Sequence, residues 1–118
     1  MVKDPQQAVI NSITETELSD NVRQLATALN FLAYHTWRSD HSPAGFPDWV
    51  FVKDGRLIFV ELKRQKGKLS PHQEEWILEL IPCNSVEVYV WRPSEWLNGT
   101  VERILKDTPK EESNTIPE

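Results

Sequence analysis

"GFPDWVFVKDGRLIFVELKRQKGKLSPHQ", Gly45 to Gln73, is the stretch on which the reading of this chain turns. Trp49–Lys53 and Arg56–Lys63 are rich in Val, Ile and Phe and are separated by Asp54-Gly55, a dipeptide that tolerates positive φ and so favours a two-residue hairpin turn. With that turn as the loop, Lys53 pairs with Arg56, and counting outward brings Asp48 opposite Glu61. Directly opposed side chains leave the same face of a sheet with Cβ atoms roughly 4.5–5.5 Å apart. Lys63, two residues beyond Glu61, leaves that face too. Carboxylates and an ammonium therefore converge at the open end of the hairpin.

The remainder of that face carries Val50, Val52, Leu57 and Phe59, and the other face carries Trp49, Phe51, Ile58, Val60 and Leu62. A hairpin apolar on both sides is expected at the centre of a sheet, where unpaired like charges are costly. Either Lys63 compensates them in a salt-bridge cluster, or a divalent cation does; carboxylate oxygens suit Mg²⁺, which keeps several waters and needs few protein ligands.

Around this hairpin, from Thr14 to Tyr34, the apolar residues Leu18, Val22, Leu25, Ala26, Leu29 and Leu32 recur at helical steps, with Thr14 as a candidate cap. The stripe, extended backwards, puts Glu15 on the inward face and Glu17 on the outward one. Phe31 to Trp37 then leaves the helix for a short strand around Tyr34–Trp37. After Lys68, Ser70 as N-cap and Pro71 at the first helical position open a second helix whose inward face holds Leu69, Trp76, Ile77 and Leu80. "VEVYVW", Val86 to Trp91, alternates as a further strand, and "PSEWLNG" and "TVERIL" read as a helical turn and a closing element. The boundaries predicted are an N-terminal arm over 1–13, one domain over 14–106 and a disordered polar tail over 107–118.

Composition bounds the function. With 118 residues, 39% of them hydrophobic, the chain suits one domain with one core. The lone Cys83 excludes an internal disulfide or a multi-cysteine zinc site, and no window approaches the ~20 apolar residues of a membrane span. A soluble, cytoplasmic protein is expected. The net charge of -5 argues against coating nucleic acid through bulk positive charge; Arg64, Lys66 and Lys68, beside Lys63, still form a local basic run.

Pro47-Asp48 followed after a hairpin by Glu61-Leu62-Lys63 resembles the PD-(D/E)XK nuclease motif. The wider "AGFPDWVFV…GRLIFVELKRQKGKLSPHQEEW" is similar to the VRR-NUC branch, whose small stand-alone members occur in phages and bacteria. That resemblance implies an α/β fold, a restriction-endonuclease-like αβββαβ core with a central mixed sheet flanked by helices. It implies a metal-dependent DNA endonuclease of a bacterial cell or phage-infected host, acting on branched DNA such as Holliday junctions. The family's motif residues fall on Asp48, Glu61 and Lys63, its first-helix glutamate on Glu15, with Glu17 as the fallback, and its Ser-Pro-x-Gln glutamine on Gln73.

By this resemblance Asp48, Glu61, the Leu62 carbonyl and Glu15 hold Mg²⁺ or Mn²⁺, and Lys63 orients the attacking water. Gln73 either positions water or phosphate or merely caps its helix. Arg64, Lys66 and Lys68 meet flanking phosphates, with His35 and His41 as further DNA contacts. Trp37 and Trp96 are the tryptophans that could stack on bases, while Trp49, Trp76 and Trp91 belong to the core. Symmetric cutting of a branch implies a homodimer, formed through the first helix or the arm, where Val9, Ile10 and Ile13 lack an obvious place in the core. The contrasting expectation is a non-catalytic nucleic-acid-binding or assembly module that keeps the fold.

Overall fold

The computed structural model describes residues 4–37 and 42–107. Its elements run α1 (Pro5–Ser12), α2 (Glu15–Ala28), β1 (Leu32–His35), β2 (Trp49–Lys53), β3 (Arg56–Leu62), α3 (Pro71–Leu80), β4 (Val86–Trp91), α4 (Pro93–Leu97) and α5 (Thr100–Lys106). The sheet order is β1-β2-β3-β4. Both hairpin contacts are antiparallel, and β4 joins β3 in parallel after the crossover through α3. This is the expected αβββαβ core in a mixed sheet, with α1 added before it and α4 and α5 after it.

The register follows the turn chemistry. Asp54 and Gly55 both adopt positive φ, and the pairs Lys53↔Arg56 through Trp49↔Val60 follow. The face bearing Trp49, Phe51, Ile58, Val60 and Leu62 is buried against Leu18, Val22 and Ala26 of α2 and Val101 and Leu105 of α5. Thr14 caps α2 in a reciprocal capping box with Glu17, and Asn30 at φ 70° ends the helical path two residues after Ala28. Leu32 is therefore the first residue of β1 and 74% exposed, not the last of the helical stripe.

The opposite face corrects a second expectation. Val50, Leu57 and Phe59 are only half-buried and Val52 is exposed, because α3 covers this side at one end alone. There Phe46 packs edge-on against Phe59 and Trp76, with centroids at 5.9 and 5.0 Å. Within the N-terminal arm, Pro5–Ser12 form α1, capped by Asp4, and α1 packs against α4. Ile13 joins the core margin while Val9 stays 56% exposed. Periodicity missed α1 because a short helix with no buried residue shows no stripe. Of the tail, only Asp107 lies within the described residues.

At the turn end of the sheet, Arg56 pairs with Glu87 through two nitrogens at 2.7 Å and donates to the Asp107 carbonyl at 2.9 Å. This bond to Arg56 holds the Glu87 carboxyl below its usual range. The other end of the sheet is set by Gly45. At φ 97° it lies so close to the first turn of α3 that a Cβ there would fall 2.4 Å from the His72 carbonyl carbon, while Trp76 Nε1 donates to the neighbouring Ala44 carbonyl at 3.2 Å. The Gly45-Phe46 pair thus seats Pro47-Asp48 against α3. Gly45→Ala combines a disfavoured φ with a backbone clash and is expected to cost about 2–3 kcal/mol. The measurement is thermal melting, with a fall on the order of 10 °C; a melting temperature within 2 °C or so of wild type would refute the close-packing argument.

Candidate active site

Where β2 begins and β3 ends, the sheet is bracketed by the first turns of α2 and α3. Extending the hairpin register sets Leu62 opposite Pro47, whose carbonyl accepts from the Thr36 hydroxyl. Asp48 bends its carboxylate back, and Oδ2 accepts the Leu62 N–H at 2.8 Å. Thr36, at the end of β1, ties the same segment down: its N–H donates to the Asp48 carbonyl at 2.9 Å and its hydroxyl to the Pro47 carbonyl at 2.6 Å. Asp48 is consequently fixed through both backbone and side chain.

Glu61 is 2% exposed. Gln73 Nε2 donates to its Oε2 at 3.0 Å, but no donor reaches its buried Oε1. The capping role of Gln73 is realised, since its Oε1 accepts the Ser70 N–H at 2.8 Å in a capping box. Capping by one end of the amide aims the other end at Glu61. Burial, and next the charge of Asp48, push the Glu61 carboxyl up to about 8, with Glu15 adding a smaller push and Lys63 pulling it down. Lys63 is half-buried, but its ammonium is in no ion pair with Asp48 or Glu61. The salt-bridge cluster is thus not what compensates the carboxylates.

A cleft of about 440 Å³ opens beside this pair, with Glu15, Asp20, His35, Trp37, Asp48 and Leu62 among its walls. Glu15 faces it, whereas Glu17 is engaged by Thr14. Asp20 and Thr36 were not among the residues singled out from sequence. Asp20 follows Glu15 by five positions and lies off the inward stripe, and nothing local marks Thr36. Among the described residues no three His, Cys, Asp or Glu side chains form a metal cage by themselves. A cation could nevertheless be held by Asp48 and Glu61 with a backbone carbonyl and water, a donor set sufficient for Mg²⁺. The buried Glu61 Oε1, which no protein donor reaches, fits that role.

The basic run projects from the β3–α3 connection. Arg64, Lys66 and Lys68 are exposed while Gln65 and Gly67 between them are not. Gln65 Oε1 accepts the Ser94 N–H at 3.0 Å, and the Gly67 carbonyl accepts from Arg92 at 2.9 Å. The start of α4 thereby anchors alternate residues and turns the charged ones outward. His35 is exposed at the cleft, stacked on Trp49, whereas His41 lies outside the described residues. Trp96 packs against the core, which leaves Trp37 as the exposed tryptophan of the two. No helix among the described residues is long and apolar enough to cross a membrane.

A family model described as the VRR-NUC domain matches residues 2–94, starting inside what sequence patterning read as the arm. No curated protein and no solved structure matches the chain.

The folded protein holds the Glu61 proton more tightly than the unfolded chain, whose glutamates titrate near 4.5. Its contribution to stability is complete below that value and disappears as pH rises through about 8. In EDTA, melting temperature should therefore drop by on the order of 5 °C across this window. Added Mg²⁺ should restore it, and Glu61→Gln should flatten the pH dependence. A melting curve of the wild type indifferent to both pH and Mg²⁺ would contradict the assignment.

Proposed function

This chain belongs to the VRR-NUC family, a nuclease-type family, and on that premise we propose that it is a Mg²⁺- or Mn²⁺-dependent endonuclease hydrolysing phosphodiester bonds in branched DNA. The observation that carries the proposal is the Asp48–Glu61 pair at the sheet end, with a buried Glu61 oxygen that lacks a donor. When bound, the cation supplies positive charge against the phosphoryl oxygens and acidity to water. Asp48, Glu61 and the Leu62 carbonyl hold it, with Glu15 closing the cleft side. Gln73 keeps Glu61 in the orientation that presents Oε1. Lys63, on the same face as Glu61, orients the attacking water with its Nζ. The acidic cleft would repel a polyanion on its own, so the outward Arg64, Lys66 and Lys68 supply the phosphate contacts that seat the strand.

Asp48→Ala and Glu61→Ala should each abolish cutting of supercoiled plasmid and four-way junctions in Mg²⁺ or Mn²⁺. Lys63→Ala should reduce it by 100-fold or so while metal binding, followed by calorimetry, persists. Because Glu17 is committed to the α2 cap, Glu17→Ala should lower stability by ~1 kcal/mol and Glu15→Ala should lower activity. Near wild-type cleavage by Asp48→Ala would refute the site. Absence of cutting by the wild type with any metal, despite tight junction binding, would favour the non-catalytic module.

The same proposal includes a homodimer, since one site cuts one strand and symmetric cleavage of a branch needs two copies. The exposed Val9 on α1 supports that helix as the contact. Light scattering at micromolar concentration should report a dimer that deletion of residues 1–13 dissociates. A strict monomer making paired cuts would exclude it.

A further inference from the structure

Aromatic side chains of β2, of β1 and of Trp37 just beyond β1 form a continuous ladder from the core to the cleft. Phe51, fully buried, stacks on Trp49 with centroids 5.5 Å apart and planes 12° from parallel. Trp49 stacks on His35 at 4.5 Å and 27°, and His35 meets Trp37 at 6.5 Å, tilted by 53°. Trp49 is held from turning, because its Nε1 donates to the Ser19 hydroxyl at 2.8 Å. The first rungs are buried, yet Trp37 is 79% exposed and forms part of the wall of the cleft that also contains Asp48. A tryptophan kept in water forgoes the burial of roughly 150–250 Å² that an aromatic ring usually obtains. Its ring is left as an open π-face beside the carboxylates.

We infer that Trp37 is a stacking platform for one unpaired base next to the scissile phosphate, so that the substrate must present a nucleotide out of the duplex stack at the site. The inference rests on the nuclease reading above and adds what that reading lacks, the local state of the DNA. Bases within a duplex already stack on both faces and offer none to a side chain. A nucleotide at a fork, flap or junction has a free face, and every base has one, so the platform selects for unstacking and not for sequence. The cleft, at about 440 Å³, is in the range of roughly 300–1,000 Å³ that admits a small ligand. Its acidic wall suits the uncharged, donor-bearing edge of a base better than a phosphate. The scissile phosphate is left to the cation held by Asp48 and Glu61, and the flanking phosphates to the outward basic residues of the β3–α3 connection.

The test uses the full-length protein and a forked DNA with 2-aminopurine at the branch nucleotide, beside a fully paired duplex of the same sequence. Ca²⁺ replaces Mg²⁺ to separate binding from cutting. Wild-type protein should quench 2-aminopurine at the fork. Trp37→Ala should lose that quenching and bind the fork roughly 10- to 100-fold more weakly, with duplex binding changed less than about two-fold. Trp37→Phe should recover most of both. Since Trp37 supports no core contact, circular dichroism should show the Ala variant folded as the wild type. Equal fork affinity and quenching in Trp37→Ala would overturn the inference and leave the nuclease reading intact. Trp37-dependent fork binding by a protein that cuts nothing would uphold the platform while the hydrolytic reading failed.

Discussion

The structure depends on keeping two carboxyl groups close together in a place from which water is largely excluded. Asp48 and Glu61 face each other because the hairpin register leaves no alternative, and neither can relax away. Asp48 is bonded at its carboxylate and, through its carbonyl, to β1; Glu61 is bonded by Gln73 from the start of α3. The resulting repulsion, added to the loss of solvation, appears as a Glu61 carboxyl that resists ionisation up to about 8. A fold selected for stability alone would put an apolar pair here, as it does at Val50 and Phe59 further along the same ladder. The repulsion is tolerated because the surrounding contacts over-determine the geometry.

Those contacts arise from features that serve packing and chemistry together. Gly45 lets the chain pass against α3 closely enough for Phe46 to wedge between Phe59 and Trp76, and the next two residues are Pro47 and Asp48. The capping box that starts α3 spends one end of the Gln73 amide on Ser70 and so orients the other towards Glu61. On the far side, the capping box of α2 engages Glu17 and leaves Glu15 for the cleft. Each helix start thereby sorts its polar side chains into structural and site-facing ones, with no residue type distinguishing them beforehand.

The core is distributed unevenly for a related reason. One face of the sheet is sealed by α2 and α5 around Phe51, Ile58, Val60 and Trp91, each close to fully buried. The other is covered by α3 only at the site end, leaving Leu32, Tyr34 and Val52 open to solvent. The covered end of this face is the one that holds Glu61. Burial of the carboxyl and partial exposure of the rest of the face thus have the same origin, the placement of a ten-residue helix.

The sequence by itself determined the elements whose causes are local or periodic. Asp54-Gly55 specified the turn, the turn specified the register, and the register brought Asp48 and Glu61 face to face; Thr14 and Ser70 marked the helix starts, and the 3.6-residue stripe marked Leu18, Val22 and Ala26 as core. Only the tertiary structure decided how far a second layer reaches and which partner a polar group takes. That Val52 is open, that Lys63 forms no ion pair with the carboxylates, that Gln73 bridges its cap and Glu61, and that Thr36 holds the Pro47-Asp48 segment all depend on chain segments distant in sequence. The helix α1 was hidden for the opposite reason, since it buries no residue and leaves no pattern to read. Periodicity records which residues leave water together, and hydrogen-bonding pattern records local caps, but the choice of partner across a fold is made by packing after both are satisfied.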